Sequence, residues 1–179
     1  GGPLVATSAN VSGEPIVTDS RQVRTKLGSI ADMVIAHDRP IARSSDDSVV
    51  RAGTTGPCII RRARGYAPLP IDVGADLPAA LAVGGHLKNT IAIGVGRYAV
   101  VSQHLGDLDT DPARRAFETA IADLCRIYRL SPEFVIADRN PDYASRRWAD
   151  GSGLPVVEVQ HQHAHVAACA AENGVAGPY

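Results

Sequence analysis

The chain is 179 residues long and 45% hydrophobic, with 18 lysines and arginines against 19 acids and a net charge of -1. That balance gives no global drive toward nucleic acid or a membrane surface, and the lack of any apolar run of about 18 residues excludes a membrane-spanning helix. The three cysteines, Cys58, Cys125 and Cys169, are odd in number and never form a Cys-x-x-Cys pair, which fits a reducing cytoplasm rather than a disulfide framework or a zinc finger.

The length suits one ordinary domain or two small or incomplete ones. The chain opens Gly1-Gly2-Pro3 with no methionine and no signal peptide, and it closes Gly177-Pro178-Tyr179 directly after a helical pattern. It reads as a piece of something longer.

In the first segment Pro3 to Thr7 is a short apolar strand that breaks into the loop Ser8 to Pro15. Ser8, Asn10 and Ser12, with backbone N–H groups freed at Gly13, can wrap an anion; a plain turn is the bland alternative. Asp19 caps a helix to about Leu27, with Val23 and Leu27 spaced i,i+4 and Gly28 at its end. Strand material follows at Met33 to Ala36, Val49 and Val50 form a β-branched pair bracketed by charge, and a second strand follows at Cys58 to Ile60. Arg62 and Arg64 fall on one face of an extended chain. With Arg43 and Arg51 they can meet a phosphate beside the serine loop, since guanidinium forks match phosphate geometry.

Pro68, Pro70, Gly74 and Pro78 mark a linker or a domain-edge strand, and the boundary is expected near Gly74. Beyond it Leu81 to Val83, Thr90 to Val95 and Tyr98 to Ser102 form a three-stranded meander. Asp111 as N-cap with Pro112 after it starts a helix whose Phe117, Ile121, Leu124, Cys125 and Tyr128 form a core stripe. A strand at Phe134 to Ala137, a short helix at Tyr143 to Ala149, a strand at Pro155 to Val159 and a helix from His161 to Asn173, closed by Gly174, complete the order βββαβαβα. That is the first half of a ribonuclease-H-like, actin-type lobe, an order shared by kinases, ATPases and carbamoyltransferases.

Three of the six histidines lie in Val159-Gln160-His161-Gln162-His163-Ala164-His165. On a helix His161 and His165 share a face at i,i+4, and two imidazoles so placed can meet one metal ion. His163 lies roughly 200° around the helix from His161. By itself His-x-x-x-His is a weak metal signature, but a helix start just after a strand end is where open α/β sheets place ligands.

The string Ser8 to Pro15, His37-Asp38-Arg39-Pro40-Ile41, the stretch Asp46 to Arg51 and the run Arg61 to Pro68 resemble the later half of the YrdC-like domain of HypF-type carbamoyltransferases, which mature [NiFe] hydrogenases. Gly84-Gly85-His86-Leu87-Lys88-Asn89-Thr90, Ser102 to Leu108, Asp138 to Tyr143 and Val159 to His165 occur in the order seen in the carboxyl-terminal, TsaD-like domain of the same family. The resemblance therefore implies an α/β chain with a partial YrdC-like domain at residues 1–73 and a ribonuclease-H-like βββαβαβα half-domain at residues 74–179.

For the first part it implies formation of carbamoyl adenylate from ATP, with Mg, and carbamate released from carbamoyl phosphate. Ser8, Asn10, Ser12, Arg43, Arg51, Arg62 and Arg64 would face the nucleotide and carbamoyl groups. For the second part it implies Lys88 and Asn89 as catalytic residues, Thr90 at nucleotide phosphates, and His161 and His165 on a divalent ion, iron or zinc. The carbamoyl group would pass to the carboxyl-terminal cysteine of the partner protein HypE. Asn140 and Gln162 stand where many relatives carry histidine. The rest of the second domain, with a carboxylate ligand and the other wall of the nucleotide cleft, lies outside this sequence, so the chain alone is expected to be inactive.

Two other readings remain open at this point. The tRNA threonylcarbamoyl-transfer machinery uses both kinds of domain on separate chains, whereas here about ten residues join them. A non-catalytic RNA-binding YrdC-like module is disfavoured by the net charge of -1.

Overall fold

The structure is a computed structural model that describes residues 2–3, 8–12, 14–54, 56–175 and 177. The strand expected at Pro3 to Thr7 and the role given to Gly13 lie largely outside the described residues.

The first segment carries one helix, α1 (Ser20–Leu27), and a two-stranded antiparallel ribbon of β1 (Val49–Gly53) and β2 (Gly56–Arg61). Asp19 caps α1 by accepting the backbone N–H of Arg21, and Gly28 follows its last residue. The strand expected at Met33 to Ala36 does not form: these residues are coil, with Met33 79% and Ile35 91% exposed. Apolar content alone does not make a strand. A strand needs a neighbour to take its N–H and C=O groups, and none is paired with residues 33–36 among the described residues.

Everything else is built on a six-stranded sheet. Its strands are β3 (Pro70–Asp72), β4 (Ala80–Ala82), β5 (Ala92–Val95), β6 (Tyr98–Val101), β7 (Phe134–Asp138) and β8 (Val156–Val159), in the spatial order β3-β6-β5-β4-β7-β8. The meander β4-β5-β6 is antiparallel, while β7 and β8 run parallel to β4. β3 forms the far edge by pairing antiparallel with β6, so the proline-rich stretch joins the larger sheet through Pro70, Ile71 and Asp72.

Three helices serve this sheet: α2 (Asp111–Tyr128), α3 (Ala144–Gly151) and α4 (His161–Glu172). The N-cap of α2 is Thr110 and not Asp111: the Thr110 hydroxyl accepts the N–H of Ala113, and Asp111 sits in the first turn, paired with Arg114. Both residues suit the position, and an aspartate one place later still complements the helix dipole. Phe117, Ile121 and Leu124 of α2 enter a core with Leu81, Ile93 and Val135, while Cys125 and Tyr128 pack at its margin. Phe117 meets Trp148 of α3 edge to face at 5.7 Å, which ties the two helices together over the sheet. By contrast α4 is exposed along most of its length, with only Ala170 buried. Among the described residues no helix is long and apolar enough to cross a membrane.

Candidate functional site

Because β4, β7 and β8 are parallel, their carboxyl ends lie along one edge of the sheet, where open α/β sheets collect ligands. The three segments that leave those ends carry the site: the Gly84-Gly85 loop after β4, Asp138 closing β7, and His161 opening α4. A cavity of about 240 Å³ lies between them, lined by Gly84, Gly85, Asp138, Val159, His161 and His165.

The loop after β4 is fixed from within. Asn89 is buried, and its amide donates to the carbonyls of Val83 at 2.9 Å and Gly85 at 2.6 Å. From α3 the buried Ser145 hydroxyl donates to Gly84 O at 2.9 Å. Gly84 has φ +66, and a Cβ there would lie 2.2 Å from the carbonyl oxygen of Thr90, so only glycine fits the turn. A Cβ added at Gly85 would lie 3.7 Å from Cε1 of His161, which puts this turn beside the imidazole.

His161 and His165 share one helix face. Their Nε2 atoms stand 3.1 Å apart, and Nδ1 of His161 lies 2.6 Å from the Asp138 carboxylate. Two nitrogens bound to one zinc at about 2.0–2.1 Å lie about 2.9–3.4 Å apart for angles between a right angle and the tetrahedral value. The pair therefore fits a shared divalent ion as two of its ligands. Among the described residues no group of three or more His, Cys, Asp or Glu side chains is arranged to hold a metal. His163 is exposed and takes no part in the pair.

On the other side of His161 stands Tyr143. Its ring meets His161 edge-on at 6.5 Å and stacks on His86 at 5.7 Å. His86 accepts the Ala144 N–H at Nδ1, so its Nε2 donates to Asp109, 2.9 Å away. Asp138, Tyr143 and His86 each lie within a motif of the sequence, but spacing alone gives none of them a role. For Asp138 the available signal was its place as the last residue of a strand.

Asn89, expected as catalytic, is a buried staple of the Gly84-Gly85 loop whose side-chain carbonyl oxygen has no partner among the described residues. Lys88 is exposed at φ +49, and its backbone N–H donates to Asp107 at 2.7 Å. Thr90 is half-buried next to them. A second cavity, about 290 Å³, brings Lys88 together with Asn10, Ser45, Arg61, His104 and Asp107, and so joins the first segment to the second. His104 is half-buried there, and burial first, then the Arg61 charge, lowers its pKa.

The remaining expected nucleotide residues are spread out. Ser8 hydrogen-bonds Asn10, and Asn10 donates to Val11 O and Glu14 O, holding the loop closed on itself; Ser12 is exposed. Arg43 pairs with Asp123 of α2, while Arg62 donates to Leu69 O and Arg64 to Ser45 O. Arg51 lies exposed on β1. Only Asn10, among Ser8, Asn10, Ser12 and the four arginines, lines the cavity that contains Lys88.

Comparison with known proteins places this edge in a family. Residues 75–172 match the family model described as the HypF Kae1-like domain. The chain belongs to the HypF family. Residues 1–63 match the Sua5/YciO/YrdC family model, whose description reads telomere recombination. Carbamoyltransferase HypF of Rhizobium leguminosarum bv. viciae is 49% identical over 175 residues, covering 98% of this chain and 23% of that protein. The HypF of Synechocystis sp. is likewise 49% identical, over 174 residues, with 97% and 23% covered.

Among solved structures, full-length HypF in a phosphate- and nucleotide-bound form matches with a TM-score of 0.89 at 42% identity, covering 96% of this chain and 27% of that one. HypF of T. kodakarensis matches with a TM-score of 0.87 at 32% identity, with 94% and 23% covered. The chain thus spans about a quarter of the length of the HypF proteins it matches. Their α/β architecture is that of this chain, and with the Kae1-like match it is the ribonuclease-H-like order expected from the strand and helix pattern.

Proposed function

We propose that this chain is the part of a HypF-type carbamoyltransferase that joins carbamoyl activation to carbamoyl transfer. Both family matches fall on one polypeptide, which favours a HypF protein over the tRNA threonylcarbamoyl machinery. The observation that carries the chemistry is the convergence of His161 and His165 beside the Gly84-Gly85 loop. One of the matched HypF structures is a phosphate- and nucleotide-bound form, which supports a nucleotide in the same fold here.

In this reading the YrdC-like part uses MgATP and carbamate, derived from carbamoyl phosphate. A carbamate oxygen bonds to the α-phosphorus of ATP, pyrophosphate leaves, and carbamoyl adenylate results. In the Kae1-like part the thiolate of the HypE carboxyl-terminal cysteine forms a bond to the carbamoyl carbon, and AMP leaves with the electrons of the broken C–O bond. The cytoplasm is the compartment for both steps, in line with the unpaired cysteines.

The chain's own residues orient and stabilise. The Gly84-Gly85 turn, whose carbonyls are pinned by Asn89 and Ser145, lines the cavity, and glycine backbone at such a turn suits phosphate oxygens. Lys88, on the exposed tip of the same loop, supplies a cation toward the nucleotide. Asn89 acts through the loop and is a positioning residue. His161 and His165 would hold a divalent ion, iron or zinc, whose chemistry when bound is to polarise the carbamoyl carbonyl as a Lewis acid. Two imidazoles are too few for a closed site, so residues of the full-length polypeptide beyond these 179 complete the shell. For the same reason the 179 residues alone should not turn over carbamoyl phosphate.

The test is metal content and carbamoyl transfer to a HypE carboxyl-terminal peptide by the full-length protein and its His161→Ala, His163→Ala and His165→Ala variants. Loss of metal and transfer in the two outer variants, with His163→Ala near wild type, supports the site. Loss of metal in His163→Ala with retention in either outer variant overturns it.

A further inference from the structure

Asp138 is the last residue of β7, and its side chain is only 10% exposed although it ends at a cavity. One carboxylate oxygen, Oδ2, lies 2.6 Å from His161 Nδ1, 23 residues along the chain; the other, Oδ1, accepts the backbone N–H of Asn140 at 2.9 Å. An ionised carboxylate has only acceptor oxygens, so the imidazole nitrogen facing it must carry the hydrogen. That leaves His161 Nε2 with a free lone pair, and this is the atom that faces His165 Nε2 at 3.1 Å.

We propose that Asp138 is the positioning residue that holds His161 in its Nδ1–H tautomer and so turns the Nε2 lone pair toward His165. Among the described residues the Asp138 carboxylate is the one hydrogen-bond partner of His161 Nδ1, and Tyr143 meets the ring edge-on. Asp138 thus fixes both the rotation of the ring and the identity of its basic nitrogen before any ligand arrives. This inference rests on the metal reading only for its consequence, that the pair is preset to bind an ion; the tautomer itself is a property of the metal-free protein.

The Asn140 bond makes the proposal sharp. In an Asp138→Asn variant the N–H of Asn140 still requires an oxygen at Oδ1, so the amide NH2 falls where Oδ2 was. That NH2 donates to Nδ1 and forces the hydrogen onto Nε2, the nitrogen needed for binding. In Asp138→Ala neither nitrogen is favoured by this position.

The experiment uses the full-length protein, metal-free and 15N-labelled at histidine, at a pH of about 8, above the ordinary histidine range. The His161 signals are assigned by difference from His161→Gln, and zinc affinity is measured separately by competition with a chelator. We expect His161 as Nδ1–H in the wild type, Nε2–H in Asp138→Asn and a mixture in Asp138→Ala, with zinc affinity about 10–100-fold weaker in both variants. A His161 tautomer that is the same in all three proteins overturns the proposal, as does wild-type zinc affinity in Asp138→Asn. Failure of the wild type to bind any divalent ion would instead sink the metal reading, and the tautomer spectra would then decide the role of Asp138 alone.

Discussion

Arg43 and Asp123, 80 residues apart, meet at 2.5 Å and tie the loop before β1 to the middle of α2. Asp123 also accepts from Arg126 at 2.7 Å, and the two guanidinium groups, Arg43 first, lower its pKa from the ordinary value of about 3.9 to about 2. Arg43 is therefore engaged in joining the two segments.

A double-mutant cycle on Arg43→Ala and Asp123→Ala, read by thermal or denaturant unfolding, should show a coupling of about 0.5–1 kcal/mol, as for a partly exposed pair. Because the folded-state pKa of Asp123 lies below the unfolded one, the contribution is complete above about pH 4 and fades as the pH falls toward 2. A coupling unchanged across that acid window would show that the pair contributes nothing through charge.

His104 gives a second pH dependence, nearer neutrality. It sits half-buried among Arg61, Lys88, Asp46 and Asp107, and burial is the largest cause of its lowered pKa. The unfolded chain takes up this proton first, so stability should decline as the pH drops below about 6.5, until the folded-state value is passed. Unfolding midpoints measured from pH 8 to pH 5 should fall less steeply for His104→Gln than for the wild type. Parallel profiles would remove His104 from the account.

The loop after β4 should tolerate little change. Gly84→Ala forces a side chain into a left-handed backbone, at a cost of about 1–2 kcal/mol, and adds the overlap with Thr90 O. Asn89→Ala removes two donors that hold the Val83 and Gly85 carbonyls. In the full-length protein both variants should weaken the nucleotide binding proposed for this loop while leaving the protein folded, as judged by calorimetric titration with a non-hydrolysable ATP analogue beside a thermal scan. Equal nucleotide affinity in Asn89→Ala would leave Asn89 a purely internal staple.

Phe117 is the largest fully buried side chain, 2% exposed between the sheet and Trp148. Phe117→Ala should cost about 3–5 kcal/mol. Phe117→Leu should cost clearly less, as chemical denaturation would show.

Much of this architecture was readable beforehand because its elements are locally determined. The stripe of Phe117, Ile121 and Leu124 needs only helical spacing to declare a buried face, and the meander needs only alternation and the Gly96 turn. The i,i+4 relation of His161 and His165 follows from helix geometry alone, and the structure places the two side by side. Met33 to Ala36 failed because strand formation depends on a partner that composition cannot supply. Asp138 went unassigned because its relation to His161 crosses from β7 to α4, a contact set by sheet order rather than by spacing. For Arg43, Arg62 and Arg64 the residue type announced phosphate chemistry, whereas here each guanidinium is engaged with a protein group.

The pairing of β3 with β6 has a practical side. Pro70, Ile71 and Asp72 lie opposite Val100, Ala99 and Tyr98, and Asp72 is further tied to Arg97 at 3.0 Å. Anyone cutting the gene at the proline-rich break to express the larger unit alone would discard this strand if the cut fell at residue 74. The outer edge of β6 would then be laid bare, and a row of unpaired backbone groups invites association with other copies. A start a few residues earlier, ahead of Pro70, keeps the edge covered and should give the more soluble product.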